Sequence, residues 1–356
     1  MARVLALLGT TKGAFVLRSD ASRAQWTING PFCDCWPIRH VVADAATGAL
    51  YAGGGDGWLG AGVWRSEDLG ESWARLPADP AFAEGAPEPV KAVWSLAAAP
   101  GALYAGVAPA ALFVSRDGGA TWRHLEGLQA HPSRPEWHGG GAGLILHAII
   151  AEGPEIWVGI SAVGVFHSAD GGATWVARNE GVRADYNPPE DRYPETGLCV
   201  HALARAAGPG RRLYQQNHCG MYRSDDGGAQ WDSIETGLPS SFGFPVAAHP
   251  RDPDTAWFAP LNGDQAGRFM PDGRAAIWRT RDGGRSWSDQ RDGLPQAHCY
   301  FTVLRQAMAT DRLDPAGVYF GASSGAFYAS ADEGARWACA AQNLPTILSV
   351  ETLTLD

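Results

Sequence analysis

Lysine is nearly absent from this 356-residue chain, and long apolar segments are missing altogether. Only Lys12 and Lys91 occur, and 28 basic against 38 acidic residues give a formal net charge of −10. An acidic chain is repelled by the phosphate backbone of nucleic acids. A membrane-spanning helix needs about 18 or more consecutive apolar residues, and the sequence has no such run. We therefore predict no nucleic-acid partner and no membrane partner.

The chain has too few cysteines for a fold that is held together by disulfide bonds. The six cysteines lack the dense spacing that is typical of small secreted domains and fit a reducing compartment. The apolar run near the N-terminus is too short for the core of a signal peptide, and Lys12 follows it at once. We therefore predict a cytoplasmic protein.

The chain contains six copies of an eight-residue segment. Each copy begins with Ser or Thr, ends with Trp and has the pattern S-x-D-x-G-x-[TS]-W, with some variation. The copies are Ser66–Trp73, Ser115–Trp122, Ser168–Trp175, Ser224–Trp231, Thr280–Trp287 and Ser330–Trp337, and Ser19–Trp26 is a decayed seventh. Successive first positions lie 47, 49, 53, 56, 56 and 50 residues apart. One unit of about 50 residues therefore repeats along the whole chain.

Each copy is flanked by short apolar segments that are typical of strands, such as residues 62–65 and 111–114. Asp-x-Gly-Gly between two strands predicts a tight hairpin, because Gly supplies positive φ and Asp bonds backbone N–H groups in its own turn. Two further strands precede each hairpin. Four antiparallel strands per period of about 50 residues predict the blade of a β-propeller.

Counting these units predicts an all-β, seven-bladed propeller of four-stranded antiparallel blades. The chain starts in the middle of a blade, and residues 346–353 are left over after the last copy. Pairing of the N- and C-terminal strands would close the ring and remove exposed sheet edges. We expect residues 1–356 to form one domain.

The repeated pattern resembles the Asp-box (BNR) repeat of the sialidase-like propellers. The resemblance covers the full length of the chain. It implies a propeller scaffold whose relatives include sialidases, xyloglucan hydrolases, sortilin-type receptors and photosystem II assembly factors, so that it spans enzymes and non-enzymes. The Asp residues themselves are expected to stabilise turns rather than to perform catalysis.

Long connections concentrate on the rim opposite the hairpins, which indicates a binding face. The segments 53–62, 129–143, 179–197 and 261–276 belong to this rim. We expect it to hold a small-molecule or glycan ligand at the mouth of a central funnel. The candidate substrate-binding residues are Trp58, Asp56, Trp94, Trp137, Tyr193 and Asn217.

Histidines supply the candidate metal site. Aligning the predicted inner strands places His40, His147 and His201 at one equivalent position, with Trp94 in the fourth strand. His218 and His298 could complete the set, and Cys199 lies on the same strand face as His201. Converging imidazoles can bind Zn²⁺, Fe²⁺ or Cu. We expect a divalent transition metal and no nucleotide cofactor, the alternative being histidines that bond channel water and backbone carbonyls.

Ionisable residues near the funnel are the catalytic candidates, namely Lys91, Arg305, Glu351 and Tyr300. A buried Lys or Glu could have a pKa suited to acid–base catalysis, or could form a salt bridge instead. Sialidases bind the substrate carboxylate with three arginines and carry an early Arg-Ile-Pro motif. No such motif is present, and nothing singles out Arg39, Arg192 and Arg305 as a triad.

Three functions remain open. The first is an enzyme, hydrolytic or metal-dependent, that acts on a small polar molecule in the funnel. The second is a glycan-binding or glycoside hydrolase-like propeller, and the third is a non-catalytic assembly scaffold.

Overall fold

The computed structural model describes residues 3–355, which form 28 β-strands and five single 3₁₀ turns. The strands are β1 (Arg3–Thr10), β2 (Gly13–Asp20), β3 (Thr27–Phe32), β4 (Ile38–Ala43), β5 (Leu50–Asp56), β6 (Gly60–Ser66), β7 (Ala74–Arg75), β8 (Ala92–Ala99), β9 (Ala102–Ala108), β10 (Leu112–Ser115), β11 (Arg123–His124), β12 (Leu146–Glu152), β13 (Glu155–Ile160), β14 (Gly164–Ser168), β15 (Val176–Ala177), β16 (Val200–Arg205), β17 (Leu213–Asn217), β18 (Gly220–Ser224), β19 (Asp232–Ser233), β20 (Gly243–Ala248), β21 (Ala256–Pro260), β22 (Ile277–Thr280), β23 (Ser288–Gln290), β24 (Val303–Thr310), β25 (Val318–Ala322), β26 (Phe327–Ser330), β27 (Ala338–Ala341) and β28 (Ile347–Leu355). The 3₁₀ turns are Cys33–Cys35, Glu126–Leu128, Arg134–Glu136, Pro189–Asp191 and Pro271–Gly273.

The all-β class is as expected, but the prediction of a closed ring of seven separate four-stranded blades is wrong. The strands form six sheets, of which five have four strands and one has eight, in the order β27-β26-β25-β24-β28-β1-β2-β3. A parallel bridge between Gln306 of β24 and Ser349 of β28 joins two groups of strands into that large sheet. Repeat counting misses this bridge because it depends on how neighbouring units approach, not on the repeat itself. Within the large sheet, β28 pairs antiparallel with β1, from Leu355 opposite Arg3 to Ile347 opposite Thr10.

Seven strands, β4, β8, β12, β16, β20, β24 and β28, are called the inner strands here. Each contacts the next in that order, and β28 also contacts β4. They surround a narrow cavity, the central channel, lined by residues from all seven. The longer connections, such as residues 76–91, 125–145, 178–199 and 291–302, lead into the starts of inner strands. We call this end of the channel the loop face.

The hydrophobic core lies between neighbouring sheets rather than at the channel. One cluster packs Tyr104 and Leu112 of one sheet against Ile156 and Phe166 of the next. Strand residues alternate between two sheet faces, and here both faces are covered, so the middle strands are buried almost continuously. Full burial of each large apolar side chain contributes about 1.5–3 kcal/mol.

The repeated eight-residue segments form the expected tight hairpins. In the copy at 168–175, the Asp170 carboxylate accepts hydrogen bonds from the Thr174 N–H at 2.9 Å, the Thr174 hydroxyl at 2.6 Å and the Ser168 hydroxyl at 2.8 Å. In three copies the Trp Nε1 donates to a carbonyl of the preceding unit, as Trp231 does to Arg178 at 2.9 Å. These carboxylates are therefore satisfied inside their own turns.

The hydrogen bonds at Asp170 predict a pH-dependent contribution to stability. Bonds from Thr174 and Ser168 lower the pKa of Asp170 to about 2. Because the folded-state pKa is lowered below the unfolded value of about 3.9, the stabilisation is complete above that value and is lost as pH falls toward 2. We expect Asp170→Asn to lower the melting temperature by a few degrees at pH 7. Calorimetric scans should show the difference shrinking toward pH 2, and a difference independent of pH would contradict this explanation.

None of the helical turns between Arg3 and Leu355 has the length and apolar character needed to cross a bilayer.

Candidate functional site

Irregularities near the start of the inner strands decide which side chains enter the channel. In β4, β8, β12 and β16 the pairing with the following strand slips by one residue, at Arg39, Trp94, His147 and His201 respectively. A β-bulge of this kind re-aims the extra residue. Three of these four side chains line a cavity of about 120 Å³ near the loop face. The fourth, His201, lines an adjoining cavity of about 110 Å³ together with His147.

The alignment that placed His40 with His147 and His201 is off by one residue, because Arg39 occupies the equivalent bulge. His40 Nδ1 accepts the Leu96 backbone N–H at 3.0 Å, and its Nε2 lies 3.4 Å from Glu351 Oε1. Both residues also line a cleft at the opposite end of the channel. His40 and Glu351 therefore form a pair of their own, away from the loop face.

Two arginines line the channel without a charged partner. The Arg39 guanidinium carbon lies 4.6 Å from the centre of the Trp94 ring, and that of Arg305 lies 4.9 Å from the centre of Phe244. Within residues 3–355, no carboxylate oxygen approaches either guanidinium within 4.0 Å, and both Nε atoms are buried without a hydrogen-bond partner. Burial lowers the pKa of both side chains. They nevertheless stay charged at neutral pH, because arginine is not deprotonated in proteins.

Cys199, His201 and His218 form a compact group beside Arg305. One potential ligand atom from each lies within 4.8 Å of the others. Cys199 directly precedes β16, His201 is the bulge residue of β16, and His218 lies in the β17–β18 turn. The backbone N–H of His218 donates to the Cys199 carbonyl at 2.9 Å, and this bond holds the turn against the start of β16.

Each histidine in this group has one ring nitrogen close to an oxygen acceptor. His201 Nδ1 lies 2.6 Å from the Gly243 carbonyl, which can only accept, so Nδ1 carries the proton. His218 Nε2 lies 3.6 Å from Asp264 Oδ2. Phe242 forms an apolar wall, with its ring centre 5.5 Å from that of His201 and 5.1 Å from that of His218.

The group's electrostatics favour a neutral imidazole and an ionisable thiol. Burial, reinforced by the charge of Arg305, lowers the pKa of His201 well below its usual value. Burial raises the pKa of Cys199, but a hydrogen bond with His218 and the charge of Arg305 outweigh it, so the pKa is lowered. The thiol therefore loses its proton more readily than a free cysteine does.

His147 is the remaining channel histidine. Its Nε2 bonds the Val200 carbonyl at 2.9 Å, whereas its Nδ1 is buried without a partner. Burial lowers the pKa of His147 to about 3, so the imidazole is neutral at physiological pH. Its unpartnered nitrogen is available to a ligand in the channel.

Three of the predicted residues lie outside the channel. Lys91 Nζ forms a salt bridge with Glu88 Oε2 at 2.6 Å. Tyr300 is exposed and packs edge-on against Phe269, with ring centres 5.1 Å apart. His298 is exposed beside Tyr300 and does not join the Cys199 group.

The residues predicted to bind substrate divide into exposed and buried ones. Trp58 is 93% exposed and Tyr193 64%, so both are available at the rim. Asp56 fixes the turn that carries Trp58, accepting N–H bonds from Trp58 and Leu59.

Trp137 and Asn217, by contrast, have structural contacts. Trp137 is buried, and its Nε1 donates to the Ser133 hydroxyl at 2.9 Å. Asn217 is fully buried and accepts the Cys219 N–H at 3.2 Å, which shapes the turn that presents His218.

The sequence does not single out several residues of this site. It presents Arg39 only as one of several arginines, and it gives no signal for Phe242, Phe244 or Gln306. The signal for Arg39 was its position directly before His40 at the start of a strand, which becomes informative only once the bulge is known. Asp264 was visible as one of many rim carboxylates, and only the fold brings it next to His218.

No protein-family model matches the chain, and no curated protein sequence is significantly similar to it. Solved structures do match. A GH74 xyloglucanase from Xanthomonas campestris is 20% identical with a TM-score of 0.65, over 95% of this chain and 52% of that one. A GH74 enzyme from Niastella koreensis is 15% identical with a TM-score of 0.64, over 95% and 52%. The chain thus spans about half the length of these two enzymes.

The third similar structure is YCF48 bound to a D1 peptide, at 14% identity and a TM-score of 0.56, over 94% of this chain and 82% of that one. Glycoside hydrolases and a photosystem II assembly factor are therefore both among the structural neighbours. At such low identity the likeness concerns architecture alone. The likeness shows that this chain shares the β-propeller fold of these structures.

Proposed function

We propose that this chain is an enzyme that binds a small anionic molecule at the loop face of the central channel and acts on it there. The observation that carries the proposal is the convergence of Arg39 and Arg305 on one cavity without carboxylate partners among the described residues. Both side chains are partly buried, and a charge that is withdrawn from water without a partner is costly. A carboxylate or phosphate that bridges the two guanidiniums would remove that cost and accept their unused N–H donors.

The surroundings of the arginines favour a small ligand. The channel cavity at this point has a volume of only about 120 Å³, enough for one anionic group and little more. Trp94 and Phe244 back the two guanidiniums and hold their planes in place. His147 Nδ1 can only accept a hydrogen bond, because Nε2 donates to the Val200 carbonyl, so it suits a hydroxyl or N–H group of the ligand rather than its anionic oxygens.

Reactive groups stand next to this anion site. Arg305 lines the same cavity as His201, and Cys199 is close enough for the Arg305 charge to lower the pKa of its thiol. A molecule held by Arg305 would therefore present its neighbouring atoms to the Cys199, His201 and His218 group. Hydrolysis is the reaction class that this group supports best, since it contains a potential nucleophile and potential metal ligands. The six free thiols support the proposal of a reducing, cytoplasmic compartment.

Calorimetric titration with inorganic phosphate, small carboxylates and a neutral xyloglucan oligosaccharide tests the proposal. We expect an anion to bind, and Arg39→Gln and Arg305→Gln each to weaken binding by about ten- to a hundredfold, as for a charged hydrogen bond. Arg192→Gln is the matched control, because Arg192 lies on the same face but is half exposed and paired with Asp185. Equal weakening by all three variants would contradict an anion site in the channel.

The neutral oligosaccharide tests the alternative of a glycan-binding propeller, which the exposed Trp58 favours. An aromatic side chain that protrudes into solvent is a platform for sugar rings. If the oligosaccharide binds, Trp58→Ala weakens this binding and Arg305→Gln does not change it, the glycan-binding function would replace the proposed one.

A further inference from the structure

We infer that Cys199, His201 and His218 bind one Zn²⁺-type transition metal ion and leave its fourth coordination position open to the channel. This metal site rests on the reactive group of the proposed function, but it does not depend on anion binding at Arg39 and Arg305. Within the described part of the chain, no other group of three or more His, Cys, Asp or Glu residues has its ligand atoms gathered in this way.

The donor set indicates the kind of metal. One thiolate sulfur and two imidazole nitrogens suit Zn²⁺, Co²⁺ and related transition metals, whereas Mg²⁺ and Ca²⁺ prefer oxygen ligands. Tetrahedral bonds of about 2.0–2.3 Å place ligand atoms roughly 3.3–3.7 Å apart. The present separations of up to 4.8 Å therefore need side-chain movements of only about 1 Å.

The neighbours of both histidines suit metal binding. Because His201 Nδ1–H donates to the Gly243 carbonyl, the Nε2 lone pair is free to coordinate. Asp264 Oδ2 lies 3.6 Å from His218 Nε2 and would accept its N–H once Nδ1 of His218 binds the metal. In protein metal sites, a histidine ligand usually donates its other N–H to a carbonyl or a carboxylate. Both kinds of partner are present here, one on each histidine.

The arrangement also suits a reactive site rather than a structural one. Structural zinc sites have four protein ligands, whereas catalytic sites have three and keep one position for water or substrate. Phe242 and Phe244 line one side of the group and limit the access of water. Arg305 lies on the channel side, so an anionic ligand held there would reach the open position.

Metal binding is measured on the full chain after removal of metal with a chelator. We expect one equivalent of Zn²⁺ by elemental analysis and, with Co²⁺, a tetrahedral spectrum that includes a thiolate-to-cobalt charge-transfer band. Cys199→Ser should remove that band, and His201→Gln and His218→Gln should each weaken Zn²⁺ binding by more than about a hundredfold. Asp264→Asn, which affects a ligand's partner, should weaken it by about tenfold.

His298→Gln is the matched control, because His298 lies on the loop face but outside the group. Circular dichroism and melting of each metal-free variant separate lost binding from lost folding. Zn²⁺ should raise the melting temperature of the parent protein and of His298→Gln, and should raise that of His201→Gln and His218→Gln much less. Binding well below one equivalent, a cobalt spectrum without the thiolate band, or equal weakening by His298→Gln would overturn the inference.

Alkylation of Cys199 distinguishes a metal ligand from a free nucleophile paired with His218. Zn²⁺ should protect Cys199 from iodoacetamide, and unchanged alkylation in saturating Zn²⁺ would count against the metal site. The anion titration is repeated on metal-free protein. If the protein binds an anion but no metal, this inference alone is rejected. If it binds metal but no anion, the proposed function alone is rejected.

Discussion

Removal of β28, residues 347–355, is expected to abolish cooperative folding of the whole chain. This strand lies between β24 and β1 in the eight-stranded sheet, and its pairing with β1 extends along the full length of that strand. Ile347 and Val350 are fully buried. Without β28, an edge of β1 and the surface of several core residues would be exposed to water. Domains are stable by only about 5–15 kcal/mol, less than this combined loss.

Circular dichroism and thermal unfolding measure the effect, and a circular permutant provides its control. Because Leu355 lies opposite Arg3 in register, a short turn can connect them, with new termini in the exposed segment 84–88. The permutant keeps every strand and should unfold cooperatively, like the parent. A truncated chain that still shows one sharp transition would contradict the expectation.

Arg23→Met is expected to destabilise the protein by about 3–5 kcal/mol, since it leaves a buried carboxylate without its cation. Arg23 and Asp311 are buried, with Arg23 Nη1 3.2 Å from Asp311 Oδ2. Asp311 also accepts the Tyr319 hydroxyl at 2.6 Å, and Arg23 donates to the Pro315 carbonyl at 2.9 Å. The pair therefore connects the decayed repeat near the N-terminus to the β24–β25 turn.

Urea unfolding of three variants tests this explanation. Arg251→Met is the control, because its pair with Asp314 is exposed and should contribute no more than about 1 kcal/mol. The double variant Arg23→Met/Asp311→Asn should recover part of the loss, because it removes the unpaired charge. If Arg23→Met and Arg251→Met lower the free energy of unfolding equally, the burial of the Arg23–Asp311 pair does not increase the cost of breaking it.

The hairpins and strands could be predicted from the sequence because their causes are local. Ser168, Asp170 and Thr174 bond one another within seven residues, so the pattern alone indicates the turn. The grouping of strands into sheets could not be predicted in the same way. The bridge between Gln306 and Ser349 joins residues that no repeat relates, and it merges what counting had treated as separate units.

The candidate site was predictable by residue type but not by position. His147, His201, His218 and Arg305 were all named, and the structure places them at or beside the channel. The one-residue slip at His40 places Arg39 in the cavity where the alignment expected a histidine, and this is why we propose an anion site there. A bulge depends on the pairing of two strands, and one strand's sequence does not reveal it.

The all-β class, the length of the repeating unit and the turns follow from the sequence alone, because hydrogen bonds within a few residues and the alternation of apolar side chains suffice for these. Which of the many polar residues come together depends on the tertiary structure. Cys199, His218 and Asp264 come together from different strands and loops, and Arg39 lines the channel beside Arg305 at a bulge of β4. These contacts join segments that are far apart in the sequence. The energies that favour them therefore produce no pattern in any short stretch of the chain.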